Sequence, residues 1–277
     1  MSLRVALLQT RTPAEQKRAF DHVAPLVRAA AADGARFILT PEGTNLLQRD
    51  REKLADLMRS EDEDPCVADL RDLARSLKVT LLIGSALVKK PEGGAANRSL
   101  LVGTEGEIIA RYDKIHMFDV DLPTGESPRE SRVYTPGEDA VLVRSSLGAL
   151  GLTICYDMRF PELYRSLAQA GAQVFTIPSA FTRPTGAAHW STLLRARAIE
   201  NGAFVLAPAQ GGLHEDGRAT WGRTLAVSPW GEVMGELDHD EPGVLMLELD
   251  LELVDKARAA IPSLKNGRPF RLREVGP

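Results

Sequence analysis

The apolar positions of this chain follow two periods. Short, nearly unbroken apolar runs at residues 5–9, 37–40, 79–88, 150–154, 174–177, 203–207 and 244–249 predict strands, most of them buried on both faces. Elsewhere apolar residues recur every three or four positions. Phe20, Val23, Ala24, Val27, Ala30 and Ala31 predict a helix that Thr12-Pro13-Ala14-Glu15 opens in a capping pattern, that Pro25 kinks or breaks, and that Gly34 ends. Val67, Leu70, Leu73, Ala74 and Leu77 predict a second helix behind Asp64-Pro65. Further helices are expected at 161–169, with Pro161 near the first position, at 189–201 and at 251–260. Residues 99–102 with 108–112, and 223–227 with 233–237 around Pro229-Trp230-Gly231, predict hairpins, and 141–144 another strand. The charged stretch 49–63 reads as surface helix or loop, and 179–188 as a polar loop. Residues 122–138 carry Pro123, Gly125, Pro128, Pro136 and Gly137. An irregular segment of that length inside a compact domain is functional or disordered.

Strands and helices alternate through much of the chain, which predicts an α/β single domain, and the hairpins make its sheets mixed. No internal repeat, low-complexity stretch or linker stands out. Residues 1–250 are expected to form the domain, with 251–277 a helix and tail belonging to it or to an oligomer interface.

Composition narrows the setting. The 277 residues, 44% hydrophobic and 26% charged, suffice for a sizeable core. A formal charge of −4 and a pI near 5.8 create no bulk attraction to nucleic acid or an anionic membrane. No apolar run is long enough to span a bilayer, and the one at the N-terminus is too short for a signal segment. Cys66 and Cys155, the two cysteines, make no disulfide framework. We therefore expect a cytoplasmic protein in a reducing compartment.

Several chemistries lack support. The chain has no G-x-S-x-G elbow, no G-x-x-x-x-G-K-[ST] and no G-x-G-x-x-G, which argues against a serine α/β-hydrolase and a nucleotide cradle. His22, His116, His189, His214 and His239 show no H-x-x-x-H spacing, and no C-x-x-C occurs, so no metal or other cofactor is expected. What remains is Glu42, Lys114 and Cys155, each just past a predicted strand, where open α/β sheets place ligand sites. Cys155 ends an apolar run and precedes a helix start, a setting that favours a reactive thiolate. Such a nucleophile needs a base and a stabilised oxyanion. A carboxylate of raised pKa would serve as base, and a nearby ammonium would lower the thiol pKa and hold the oxyanion. Taken singly, each residue has a plainer reading: a core cysteine, a surface carboxylate, a solvated lysine. Cys66, in the first turn of a helix, reads as a small buried residue.

Three blocks in order change the weighing: Leu39-Thr40-Pro41-Glu42, then Arg111-Tyr112-Asp113-Lys114-Ile115-His116, then Thr153-Ile154-Cys155-Tyr156-Asp157-Met158-Arg159-Phe160-Pro161-Glu162. They resemble the motifs of the nitrilase superfamily of carbon–nitrogen hydrolases. The likeness continues through Pro178-Ser179-Ala180-Phe181-Thr182, Ala188-His189-Trp190 and Pro229-Trp230-Gly231-Glu232, over nearly the whole chain. The stretch Lys114-Ile115-His116-Met117-Phe118-Asp119 is most similar to the Nit amidase branch, which includes deaminated-glutathione amidases and ω-amidases. The resemblance implies an α-β-β-α sandwich with two mixed sheets, commonly a homodimer or larger homo-oligomer. It also implies roles. Cys155 attacks the amide carbon, Glu42 moves the protons, and Lys114 with the Tyr156 N–H holds the oxyanion. A second glutamate belongs in the long loop. The spacing from Lys114 favours Glu130 over Glu126. Arg159 and Arg183 are candidate contacts to a substrate carboxylate, and Thr182 is a further substrate-binding candidate in the same loop. Ala187 and Arg183-Pro184 depart from the branch pattern there. The expected activity is hydrolysis of a small carboxylate-bearing amide to acid and ammonia through a Cys thioester. The rivals are a nitrilase or N-carbamoyl amino acid amidohydrolase on the same triad, and a non-catalytic binding protein on the same fold.

Overall fold

The computed structural model describes residues 2–122, 125 and 127–276. Its strands form two six-stranded mixed sheets. The first contains β1 (Ser2–Gln9), β2 (Phe37–Leu39), β3 (Thr80–Lys89), β4 (Ala95–Val102), β5 (Ile108–Asp113) and β14 (Gly243–Asp250), in the order β14-β1-β2-β3-β4-β5. The second contains β6 (Val141–Ser145), β7 (Gly148–Leu152), β8 (Val174–Thr176), β9 (Phe204–Ala207), β12 (Leu225–Val227) and β13 (Val233–Glu236), in the order β13-β12-β9-β8-β7-β6. Between β9 and β12 in the chain lies a small hairpin, β10 (Gly211–Leu213) and β11 (Ala219–Trp221).

The two sheets share one plan. β1, β2 and β3 run parallel, with β14 antiparallel on one side and β4-β5 antiparallel on the other. β7, β8 and β9 run parallel, with β6 and β12-β13 in the matching places. The architecture therefore repeats even though no repeat stands out in the sequence. Pleating and side-chain size carry that plan, and many apolar residues satisfy it.

Alternation within β1 explains the layering. Val5 and Leu7 face the other sheet, in a core with Leu150, Leu152, Phe175 and Leu206. Ala6 and Leu8 face the helices α1 (Gln16–Ala32) and α3 (Pro65–Leu77), in a core with Val23, Val27, Val67 and Leu70. Burial on both faces is why such strands read as continuous apolar runs. On the outer side of the second sheet lie α4 (Pro161–Gln169) and α5 (Arg183–Asn201). The result is the expected α-β-β-α sandwich. α6 (Glu252–Ala260) buries Val254 in the central core, and residues 262–276 are irregular.

Several element boundaries differ from expectation. Helix α1 starts at Gln16, not at Thr12, because Thr12 is held elsewhere: its N–H donates to Gln210 Oε1 and its Oγ1 accepts from Gln210 Nε2. Pro25 lies inside α1 without ending it. It is on the exposed face, so the carbonyl that loses its donor belongs to solvent-facing Asp21. Asp64 caps α3 through Val67 N–H, as read. The charged stretch contains only a short helix, α2 (Arg51–Leu57). Helix α5 begins six residues before the expected start at 189, with Pro184 in its first turn. Gly186 and Pro184 disguise it in sequence. The glycine is needed because a Cβ there would lie 2.2 Å from the Trp221 ring.

Candidate active site

The catalytic candidates converge where the parallel strands of both sheets end. The strand expected to reach Ile154 stops at Leu152, but extended backbone continues, with Thr153 N–H on Thr176 O and Cys155 N–H on Pro178 O. Cys155 then takes a positive φ of 48° and opens a 3-10 turn, Cys155–Arg159, ahead of α4. A non-glycine residue in this region is strained, and such strain clusters at functional sites. The first donor inside the turn is Asp157 N–H, to Ile154 O. The Tyr156 N–H precedes it, outside the turn's own ladder, as the early donors of any helical turn do.

Glu42 follows β2 in the turn Thr40-Pro41-Glu42. The turn and the Pro178 loop close over Gly84, where a Cβ would sit 1.9 Å from Thr40 O and 2.5 Å from Pro178 Cβ. This close approach explains a glycine inside β3. Glu42 Oε1 accepts from Asn97 Nδ2 (2.8 Å) and Lys114 Nζ (3.1 Å), and Oε2 accepts from Ala180 N–H (2.9 Å). Lys114 continues β5, pinned by its N–H on Asn97 O and by Gly137 N–H on its carbonyl. Its side chain is 2% exposed, and Nζ donates to Glu130 at 2.9 and 2.8 Å. Glu130 opens a one-turn 3-10 segment, Glu130–Arg132, and also accepts from Phe118 N–H (2.7 Å). Glu126 lies outside the described residues.

Electrostatics set the resting protonation. Burial alone raises the Glu42 carboxyl, but the Lys114 charge and hydrogen bonds from Cys155, Lys114 and Asn97 outweigh it and hold Glu42 below its ordinary value. Burial disfavours the Lys114 ammonium, yet Glu130 and Glu42 push it well above its ordinary value. Burial and the Glu42 charge raise the Cys155 thiol well above the usual range, and Lys114 only partly opposes them. The site at rest is therefore carboxylate, ammonium and neutral thiol. This corrects two expectations. The base is not a carboxyl of raised pKa, because Lys114 and the hydrogen bonds outweigh burial at Glu42, and the thiol is not a standing thiolate, because burial and the Glu42 charge outweigh Lys114 at Cys155.

A single buried carboxylate ties the nucleophile turn to the lysine strand. Asp157, fully buried, accepts from Tyr112 Oη (2.6 Å), Ile154 N–H (2.8 Å) and His116 N–H (3.0 Å), and its Oδ1 lies 2.7 Å from His116 Nδ1. His116 stacks on Phe160 with ring centroids 3.5 Å apart.

Above these groups opens a cavity of about 390 Å³, within the range of ligand pockets. Glu42, Lys114, Glu130, Cys155, Tyr156, Arg159 and Thr182 all line it. The Arg159 guanidinium lies over the Tyr156 and Phe181 rings at 5.9 and 5.5 Å, with Nη2 3.2 Å from His189 Nδ1. Arg183 does not line the cavity. As the first residue of α5 it is exposed and pairs with Asp240 at 2.6 Å, so its expected substrate contact is not where the structure places it. Asn97, Asp157, the Ala180 N–H and the cavity residues Tyr134 and Arg218 were not legible as site residues. Asn97, Tyr134 and Arg218 lie outside every motif block, whereas Asp157 and Ala180 fall inside two of them without a role that the sequence assigns.

A buried Glu–Lys–Cys cluster at the strand ends of an α-β-β-α sandwich defines a class of hydrolase that acts on C–N amide bonds. The family described as carbon-nitrogen hydrolase matches residues 4–259, and this chain belongs to it. It is 40% identical over 245 residues to "Probable hydrolase nit2" of Schizosaccharomyces pombe, covering 87% of this chain and 88% of that protein. It is 39% identical over 238 residues to "Deaminated glutathione amidase" of Yersinia enterocolitica, covering 85% and 82%. Among solved structures, Saccharomyces cerevisiae Nit3, a member of branch 10 of the nitrilase superfamily, superposes with a TM-score of 0.85 at 27% identity over 96% of each chain. The chain is thus an amidase of the carbon–nitrogen hydrolase family. Among the described residues no helix is long and apolar enough to cross a membrane.

Proposed function

We propose that the chain hydrolyses the amide of a small carboxylate-bearing substrate, such as deaminated glutathione or the ω-amide of an α-keto acid, through a thioester on Cys155. The observation that carries this reading is the convergence of Cys155, buried Glu42 and Lys114 on one cavity, with Lys114 Nζ 3.1 Å from Glu42. As Sγ bonds to the amide carbon, Glu42 takes the thiol proton. The carbonyl oxygen becomes an oxyanion between Lys114 Nζ and the Tyr156 N–H. The C–N bond then breaks, Glu42 gives its proton to the nitrogen, and the amine leaves: ammonia from an ω-amide, cysteinylglycine from deaminated glutathione. Water attacks the thioester with Glu42 again as base, the C–S bond breaks, and the thiol is restored. Glu130 fixes the Lys114 ammonium through two contacts below 3 Å. Arg159 anchors a substrate carboxylate, and Thr182 borders the same space.

The test is a screen over α-ketoglutaramate, deaminated glutathione, uncharged amides, nitriles and N-carbamoyl amino acids, reading released cysteinylglycine for deaminated glutathione and ammonia for the rest. Carboxylate-bearing amides should release their ammonia or amine, and Cys155→Ala should abolish it. Full activity in Cys155→Ala would overturn the mechanism. Nitrile turnover, or CO₂ released with the ammonia, would reassign the substrate. We further infer a homodimer in a reducing, cytoplasmic setting. Support comes from the exposed Ile199 and Trp230, adjoining through Gly231, and from two free thiols. A monomeric mass by light scattering at micromolar concentration would refute the dimer.

A further inference from the structure

Tyr134 is one buried polar side chain at the site that the amidase mechanism leaves unused. Its ring packs in a small core cluster with Leu46, Leu54, Met58 and Leu87, and the residue is 8% exposed. That packing fixes the phenol. The residue lines the cavity, and its hydroxyl takes no hydrogen bond from or to a described residue. Burial and the Glu130 and Glu42 charges push the phenol above its ordinary value, and Arg218 and Lys114 only partly oppose them; all four are cavity residues. It therefore stays a neutral O–H donor at any working pH.

Arg218 meets the same space from the turn between β10 and β11. Its link to Asp216 is loose, at 3.5 Å, and its side chain is 33% exposed. The guanidinium thus keeps donors for a ligand. The cavity as a whole is cationic: Arg49, Arg51, Arg129, Arg159, Arg218 and Lys114 line it, against the carboxylates Glu42 and Glu130 among the described residues. Lys114 already holds both of those carboxylates.

We propose that the Tyr134 hydroxyl and the Arg218 guanidinium form a second anion subsite, separate from Arg159, that receives a carboxylate of the substrate. The proposal rests on the amidase reading and narrows it. The preferred substrates are amides bearing two separate carboxylates, one met by Arg159 and the other by Tyr134 with Arg218. Tyr134 acts as a substrate-binding residue and takes no part in proton transfer.

Tyr134→Phe tests this while keeping the ring and its packing. Steady-state kinetics would compare deaminated glutathione, which carries two carboxylates, with an uncharged aliphatic amide. The expected result is a KM raised about tenfold or more for the former, as loss of a hydrogen bond to a charged group implies. The kcat should stay within about threefold, and the uncharged amide should be indifferent. Arg218→Gln should act in the same direction, and the double variant should fall short of the product of the two effects, because both residues serve one group. Calorimetry of glutarate binding to Cys155→Ala protein, with and without Tyr134→Phe, gives a readout independent of turnover. Glutarate weakened tenfold by Tyr134→Phe in a protein that hydrolyses no amide would sustain the subsite and overturn the amidase substrate. Normal amide turnover with KM and glutarate binding unmoved by Tyr134→Phe would overturn the subsite alone. A kcat loss equal for both substrates, or no glutarate binding at all, would also overturn it.

Discussion

Asp157→Asn should cost both stability and turnover, for one geometric reason. The carboxylate takes donors on both oxygens: Tyr112 Oη and Ile154 N–H on Oδ2, His116 N–H and the His116 ring on Oδ1. Asparagine has one acceptor oxygen and one NH₂. The Tyr112 hydroxyl can turn to accept, and the His116 ring can change tautomer, but a backbone N–H cannot. Either amide orientation therefore leaves Ile154 N–H or His116 N–H facing another donor. A buried donor without an acceptor costs about 1–3 kcal/mol, and weakening the remaining bonds from charged to neutral adds roughly 1 kcal/mol more. We expect a loss of about 2–4 kcal/mol in urea unfolding. Turnover should fall further than stability alone explains. Ile154 precedes the nucleophile, and Tyr112 and His116 flank Lys114 by two residues each. A shift of about 1 Å between thiol and ammonium is worth roughly 10² in rate. Tyr112→Phe is the control. It removes one donor to the carboxylate and leaves both backbone N–H groups paired, so it should cost about 1.5 kcal/mol, the lower end for a bond to a charged group, and leave kcat within about threefold. A stability loss for Asp157→Asn below about 0.5 kcal/mol would refute the packing argument. A large stability loss with unchanged kcat in native buffer would refute the positioning one.

Other consequences are open to measurement. Glu42→Gln removes the charge that, after burial, raises the Cys155 thiol while leaving Lys114 in place. The pH profile of Cys155 alkylation should therefore shift to lower pH even as amidase activity is lost, and a shift upward would contradict the electrostatic assignment. Burial holds the His214 imidazole down to about 4, against roughly 6.5 in an unfolded chain. The folded state thus binds fewer protons between these values. Stability from the neutral ring is full above about pH 6.5 and is lost as pH falls toward 4, by roughly 3 kcal/mol in all. His214→Gln should flatten that slope in urea unfolding at pH 4–7, and an unchanged slope would count against it. Arg183→Ala breaks an ion pair whose side chains are 53% and 36% exposed. It should cost no more than about 1 kcal/mol and leave KM for carboxylate-bearing amides within about twofold. A tenfold rise would restore Arg183 to the substrate site.

Legibility followed the range of the interactions. The strand runs, the Asp64-Pro65 helix start and the Pro161 start could be read because each depends on neighbours a few residues away. The boundary of α1 could not, since Gln210 holds Thr12 from about two hundred residues downstream. The start of α5 was hidden because Gly186 answers to Trp221 and not to helix propensity.

The site divides along the same line. Sequence alone placed a carboxylate, a lysine and a cysteine in that order, each just past a strand that β-periodicity reveals. Reading them as one set, with Glu130 in the loop behind, rested on the resemblance of the three motif blocks. Only the tertiary structure decided the protonation of the three, because the Glu42 carboxylate, the Lys114 ammonium and the neutral thiol result from mutual charge and burial. It also decided which polar side chains line the cavity. Arg183 turned to Asp240, and Tyr134 came to the cavity wall. Side-chain direction on an irregular loop is set by what packs behind it, and no local pattern encodes that.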